Sequence, residues 1–175
     1  MRHPFEIDRP TRSRTFSDAS LERRFRRHGF VVVSVGTDAD TRRLVDVYRD
    51  HPSGIDHGYY TSARSDNLDY RRTVDDAITA AFSQPLASLL TDHEPLVGAF
   101  VVKHPEPGTQ TVTHQDWTFV EDESVRPAVI CWIPLTPVGE REGYLRVLRG
   151  SHRYLHDLRC FPPFPTRFDD VRDEV

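Results

Sequence analysis

Apolar positions recur at helical spacing through the first half of the chain and fall into short extended runs through the second. Leu21, Phe25 and His28 share one helical face behind Ser17, a candidate N-cap, and Gly29 is placed to stop that helix. Phe30 to Val35 is a β-branched apolar run of strand length. Thr37 or Asp38 can cap a second helix, with Leu44, Val45 and Tyr48 as its buried stripe. Asp50 to Asn67 reads as loop. Val74, Ile78, Phe82, Leu86 and Leu89 then mark a third helix, which Pro85 should kink or restart.

After Thr91 the pattern changes. Leu96 to Lys103 is a continuous apolar run, and Pro105-Glu106-Pro107-Gly108 closes it with a turn. Thr111 to Phe119, Ala128 to Leu135 and Tyr144 to Leu148 read as further strands. Phe161 to Pro165 is proline-rich, and Asp169 to Val175 reads as the opening of a charged helix. Helices first and antiparallel-looking strands second is the α+β order. The chain is expected to be a single domain over 1–175, with 1–15 a loose N-terminal arm. Four or five strands are too few to close a jelly roll of eight, so that core is expected to be incomplete here.

Composition narrows the function classes. With 37% hydrophobic and 29% charged residues the chain suits a folded globular domain. A net charge of −4 argues against a surface that tracks nucleic-acid phosphates. The cluster Arg23, Arg24, Arg26 and Arg27 reads as a solvated helix face. No apolar run has the length of a membrane span, and Met1 to Arg14 carries no apolar signal core. Cys131 and Cys160 form no disulfide framework, and Cys131 reads as a small core residue. A reducing cytoplasm is the expected compartment.

One spacing points to chemistry. Side chains at i and i+2 on an extended segment face the same way, so His114 and Asp116 can converge on one ion. An imidazole and a carboxylate are two corners of the facial triad of iron(II) oxygenases, which leaves three positions open. The spacing by itself is weak. Nine histidines should yield about one such pair by accident, and His104-Pro105-Glu106 is a second match, set in a turn where nothing enforces a shared face. On spacing alone, a surface ion pair explains His114 and Asp116 better than a metal site does.

Longer motifs carry more. His114-Gln115-Asp116-Trp117-Thr118-Phe119-Val120 resembles the iron-binding strand of the phytanoyl-CoA dioxygenase family. Trp132, within Val129 to Leu135, resembles the next family strand, and Glu142 to Arg153 resembles the glycine- and histidine-bearing segment that follows. Gly29 to Val33 resembles the opening strand. The likeness runs from about Leu21 to about Arg153, with Glu142 and Arg149 departing from the usual Asn and Pro at turn positions.

The resemblance implies N-terminal helices packed on a double-stranded β-helix of the jelly-roll or cupin kind. It implies an oxidoreductase that uses iron(II), 2-oxoglutarate and dioxygen on a small-molecule substrate. His114 and Asp116 would be metal ligands and catalytic residues, and Gln115 and Trp132 would line the cosubstrate pocket. Tyr59 and Tyr60 fall near family pocket positions, whereas Lys103 is expected to be structural or solvated. A carboxylate at Asp116 favours hydroxylation, desaturation or ring closure over halogenation, which uses a small residue there. The family's third ligand, a distal His, and its cosubstrate-anchoring Arg are expected beyond Val175 or on a second chain. His152 and His156 are poor substitutes, and His152 reads as a turn histidine with local hydrogen bonds. Two further readings stay open: a catalytically inactive family member serving as a binding or scaffold subunit, and a cupin-like metal enzyme that does not use 2-oxoglutarate.

Overall fold

A computed structural model describes residues 13–109, 111, 114–116, 120 and 125–153. The expected arm up to residue 12, Trp117 to Phe119 of the candidate strand, His156, Cys160, the proline-rich run and the C-terminal charged helix lie outside the described residues.

Three helices form where the periodicity predicts them. The first, α1 (Ala19–His28), is capped by Asp18 rather than Ser17. The Asp18 carboxylate accepts the N–H groups of Ser20 and Leu21, both at 2.8 Å. The Ser17 N–H is instead used across the chain on the Leu89 carbonyl, at 2.9 Å. Gly29 closes α1 in the left-handed conformation, φ 81°, with its N–H on the Phe25 carbonyl. The second helix, α2 (Asp38–Asp50), starts on a capping box formed by Thr37 and Asp40 and ends on His51.

The third helix, α3 (Leu68–Leu89), begins at the Asn67 cap and runs through Pro85 without a break. The arginines of α1 are solvent-exposed, as its charge pattern predicts.

The sheet is much smaller than the apolar runs suggest. Among the described residues it consists of β1 (Tyr59–Thr61) and β2 (Val101–Lys103), paired antiparallel with Tyr60 opposite Val102. Ser62 and Phe100 extend the pairing. The Ser62 N–H reaches the Phe100 carbonyl at 3.0 Å, and the Phe100 N–H donates back to Ser62 Oγ at 2.9 Å. So β1 and the turn of 3₁₀ helix after it (Ser62–Arg64) sit inside the stretch expected to be loop.

Among the described residues, Phe30 to Val35, Ala128 to Leu135 and Tyr144 to Leu148 form no ladder. Apolar and β-branched character favours extended backbone, but a strand also needs a partner edge. Three helices and a small antiparallel sheet are compatible with the α+β class.

The core lies between α2, α3 and the small sheet: Leu44, Tyr60, Tyr70, Val74, Ala81, Phe82 and Phe100 are buried together. Tyr48 meets Phe100 edge-on, with ring centroids 5.7 Å apart. Ile133 and Leu135 are the parts of the later apolar run that pack on this core. Cys131 is exposed, contrary to the core position expected for it. Without a ladder to alternate faces, that run turns only part of its apolar surface inward.

Residues 13–15, the described end of the expected arm, are held in place. Thr15 is buried, its carbonyl accepts the Thr91 N–H at 2.9 Å, and Phe16 bridges to Leu90. No helix among the described residues is long and apolar enough to cross a membrane.

Candidate metal centre

His114 and Asp116 do face each other. His114 Nε2 lies 3.0 Å from Asp116 Oδ1, with the imidazole 21% and the carboxylate 55% exposed. Two ligand atoms, each about 2.1 Å from one divalent ion and at a right angle, stand about 3 Å apart. The pair therefore already has the separation of two adjacent corners of an octahedral site. With a proton on Nε2 the same distance is an ordinary hydrogen bond, so a metal would take the place of that proton. One nitrogen and one carboxylate oxygen suit iron(II) better than calcium or magnesium, which take oxygen alone. These two residues fit the metal implied by the motif, as two of its three protein ligands. No group of three or more His, Cys, Asp or Glu side chains capable of holding a metal occurs among the described residues.

Gln115, between the two, goes elsewhere. Its Nε2 donates to the Ser151 carbonyl at 2.7 Å, a contact spanning 36 positions in sequence. Ser151 opens a short 3₁₀ turn (Ser151–Arg153). That turn is seated on the end of α1, where the Gly150 N–H donates to the His28 carbonyl at 2.9 Å. His152 Nε2 lies 3.0 Å from the Arg26 carbonyl. A carbonyl only accepts, so this contact puts the ring proton on Nε2. His152 is thus a turn histidine, but its contact reaches across 126 positions rather than staying local. Sequence reasoning did not find this seat. Its one readable trace is Gly29, where an added Cβ would lie 2.4 Å from His152 Nδ1.

The other candidates are placed less centrally. Trp132 is 44% exposed and, among the described residues, makes no hydrogen bond. It is therefore no core aromatic. Lys103 ends β2 opposite Tyr59 and is exposed. Tyr60 is buried in the core, whereas Tyr59 is exposed.

In the rival pair His104 and Glu106, the Glu106 carboxylate and the His104 main chain are both used on Gly58, while His104 Nε2 is buried without a hydrogen-bond partner among the described residues. The His104 N–H donates to the Gly58 carbonyl at 3.0 Å, and Glu106 Oε2 accepts the Gly58 N–H at 3.2 Å. Two open grooves of about 350 and 260 Å³ follow the stretch from Tyr48 to Asp66 and share Ser53 and Ile55. Neither is lined by residues 114–116.

No curated protein and no solved structure matches the chain. The family model described as phytanoyl-CoA dioxygenase (PhyH) matches residues 4–173, nearly the whole sequence. The converging imidazole and carboxylate thus sit in a chain that belongs to the phytanoyl-CoA dioxygenase (PhyH) family.

Proposed function

We propose that His114 and Asp116 hold iron(II) in a 2-oxoglutarate-dependent dioxygenase that hydroxylates a small organic molecule. The observation that carries this reading is the 3.0 Å between His114 Nε2 and Asp116 Oδ1, taken with membership of a dioxygenase family. Bound iron(II), chelated by 2-oxoglutarate, would supply oxidation of an unactivated C–H bond by dioxygen.

The chain's own residues then have limited tasks. His114 presents a neutral ring nitrogen, which requires that its proton sit on Nδ1. Asp116 contributes a negative oxygen that offsets part of the metal's charge, and its presence leaves no ligand position for a halide. Trp132 offers a flat indole wall and one N–H donor to a cosubstrate. Gln115 stands next to both ligands, and its amide is the second cosubstrate contact implied by resemblance. The third ligand and the arginine that anchors 2-oxoglutarate would come from outside the described residues or from a second chain. A jelly-roll core, a small-molecule substrate and a cytoplasmic setting that keeps iron reduced belong to the same reading.

The test is iron-dependent conversion of 2-oxoglutarate to succinate, with dioxygen uptake followed in parallel. Where the third ligand and the anchoring arginine are also supplied, succinate should be released, and His114→Ala and Asp116→Ala should release none; with two ligands alone, iron binding should be weak. Dioxygen uptake without any oxo-acid would favour a cupin-like metal enzyme. A folded chain that binds no metal would be an inactive family member serving as a scaffold.

A further inference from the structure

We propose that Gln115 is a positioning residue, and that its amide fixes the metal-facing pair to the end of α1 by way of the Gly150–Arg153 turn. This rests on the reading of His114 and Asp116 as metal ligands.

Three contacts in series make the case. The first is the Gln115 amide on the Ser151 carbonyl, at 2.7 Å. No regular strand is assigned at residues 114–116, so this side-chain bond supplies a fixed point that a ladder would otherwise give. The second is the turn itself, closed by the Ser151 N–H on the Leu148 carbonyl and the Arg153 N–H on the Gly150 carbonyl, both at 3.1 Å.

The third is the seat on α1. A helix leaves its last four carbonyls without partners inside the helix. Here the Arg26 carbonyl receives the His152 ring N–H, and the His28 carbonyl receives the Gly150 N–H. The Phe25 carbonyl is taken by Gly29. Gly29 is what lets the histidine in, because any side chain there would overlap the imidazole.

The far end of α1 is anchored as well. Asp18 caps it, and Glu22 accepts the N–H groups of Thr15 and Phe16. The helix is therefore a fixed reference, and the turn transmits its position to the residue between the two ligands. Contacts that orient metal ligands from outside typically change metal affinity ten- to a hundredfold when removed. A residue that merely bound 2-oxoglutarate would instead raise its KM and leave metal affinity alone.

The experiment titrates the full chain with cobalt(II), as a spectroscopic stand-in for iron(II), in Gln115→Ala, Gln115→Glu, His152→Ala and His152→Gln, with His114→Ala as reference. Gln115→Glu keeps the size but cannot donate to the Ser151 carbonyl, and His152→Gln keeps a donor for the Arg26 carbonyl. Thermal melts confirm that each variant is folded, and a variant that does not fold is replaced by its size-conserving partner.

The expected result is a cobalt(II) affinity lowered roughly ten- to a hundredfold in Gln115→Ala, Gln115→Glu and His152→Ala, with partial recovery in His152→Gln. If both Gln115 variants and His152→Ala bind cobalt(II) within twofold of the unchanged chain while His114→Ala does not, the metal site stands and the positioning role is overturned. If His114→Ala behaves as the unchanged chain, the metal reading fails first and the positioning role falls with it.

Discussion

Arg26 donates its Nε proton to Glu22 Oε1 at 2.5 Å, one turn back along α1, while Glu22 Oε2 accepts the backbone N–H groups of Thr15 and Phe16 at 3.0 and 2.9 Å. A carboxylate only 7% exposed is thereby satisfied on both oxygens, and it ties the N-terminal segment to the helix. Removing it would leave two buried N–H donors without their acceptor and take the carboxylate from the Arg26 guanidinium, which still donates to the Ser13 carbonyl. Glu22→Ala should cost about 2–4 kcal/mol of stability, measured by urea unfolding.

The same carboxylate makes stability depend on pH. Burial pushes its pKa up, but the Phe16 N–H, Arg26 and the Thr15 N–H together outweigh burial and hold it below the ordinary glutamate value. A depressed folded-state pKa gives stability that is fully present above the unfolded value, about 4.3. That contribution is lost as pH falls through the lower folded value. Melting temperatures taken from pH 7 down to pH 3 should therefore drop more steeply in the unchanged chain than in Glu22→Gln. Parallel curves for the two proteins would show that Glu22 is not the group responsible.

Gly29→Ala combines a left-handed backbone with a collision. Its φ of 81° disfavours any side chain by about 1–2 kcal/mol, and the new Cβ would lie 2.4 Å from His152 Nδ1. The substitution should be costlier in the unchanged chain than in a His152→Ala background, where the ring is gone and only the backbone cost and a 3.1 Å approach to the Cβ of residue 152 remain. A double-mutant cycle by urea unfolding measures this difference. A coupling of zero would mean that His152 does not rest against Gly29 in solution.

Ser62→Ala removes a buried acceptor. Ser62 is 1% exposed, and its hydroxyl receives the N–H of Phe100, itself 5% exposed. Leaving that N–H unsatisfied should cost about 1–3 kcal/mol. The loss should be visible as faster hydrogen exchange at the Phe100 amide. Unchanged exchange there would mean that the Ser62 hydroxyl does not hold the Phe100 N–H and so does not extend the β1–β2 pairing.

The helices were legible in the sequence because their determinants are local. Thr37, Gly29 and the stripe from Val74 to Phe82 all act within a few positions of where they stand. The sheet was legible only in part, because β2 (Val101–Lys103) ends the apolar run read from Leu96 to Lys103, whereas its partner was not. Phe30 to Val35 has strand composition, but a strand forms only where another edge is offered. β1, which does find an edge, lies in a stretch of Gly, Pro, Asp and Ser that reads as loop. The same contrast divides the site. His114 and Asp116 are two residues apart, so their convergence follows from backbone alternation alone. The Gln115–Ser151 and His152–Arg26 contacts span 36 and 126 positions, and no local pattern encodes them. Glu22 was missed because a glutamate among arginines looks like one more member of a solvated face.

If His114 and Asp116 are merely a surface ion pair, deleting either should cost well under about 1 kcal/mol, and added metal should change nothing. If they share one ion, the outcome differs in kind. A two-point site loses most of its affinity when either point goes, so His114→Ala and Asp116→Ala should each abolish the rise in melting temperature that cobalt(II) produces. The double variant should then be no worse than either single one, because the second deletion removes a contact that no longer holds metal. Independent, additive losses in the cobalt(II)-dependent shift would argue that the two side chains bind separately, and a shift that survives both deletions would place the metal elsewhere on the chain.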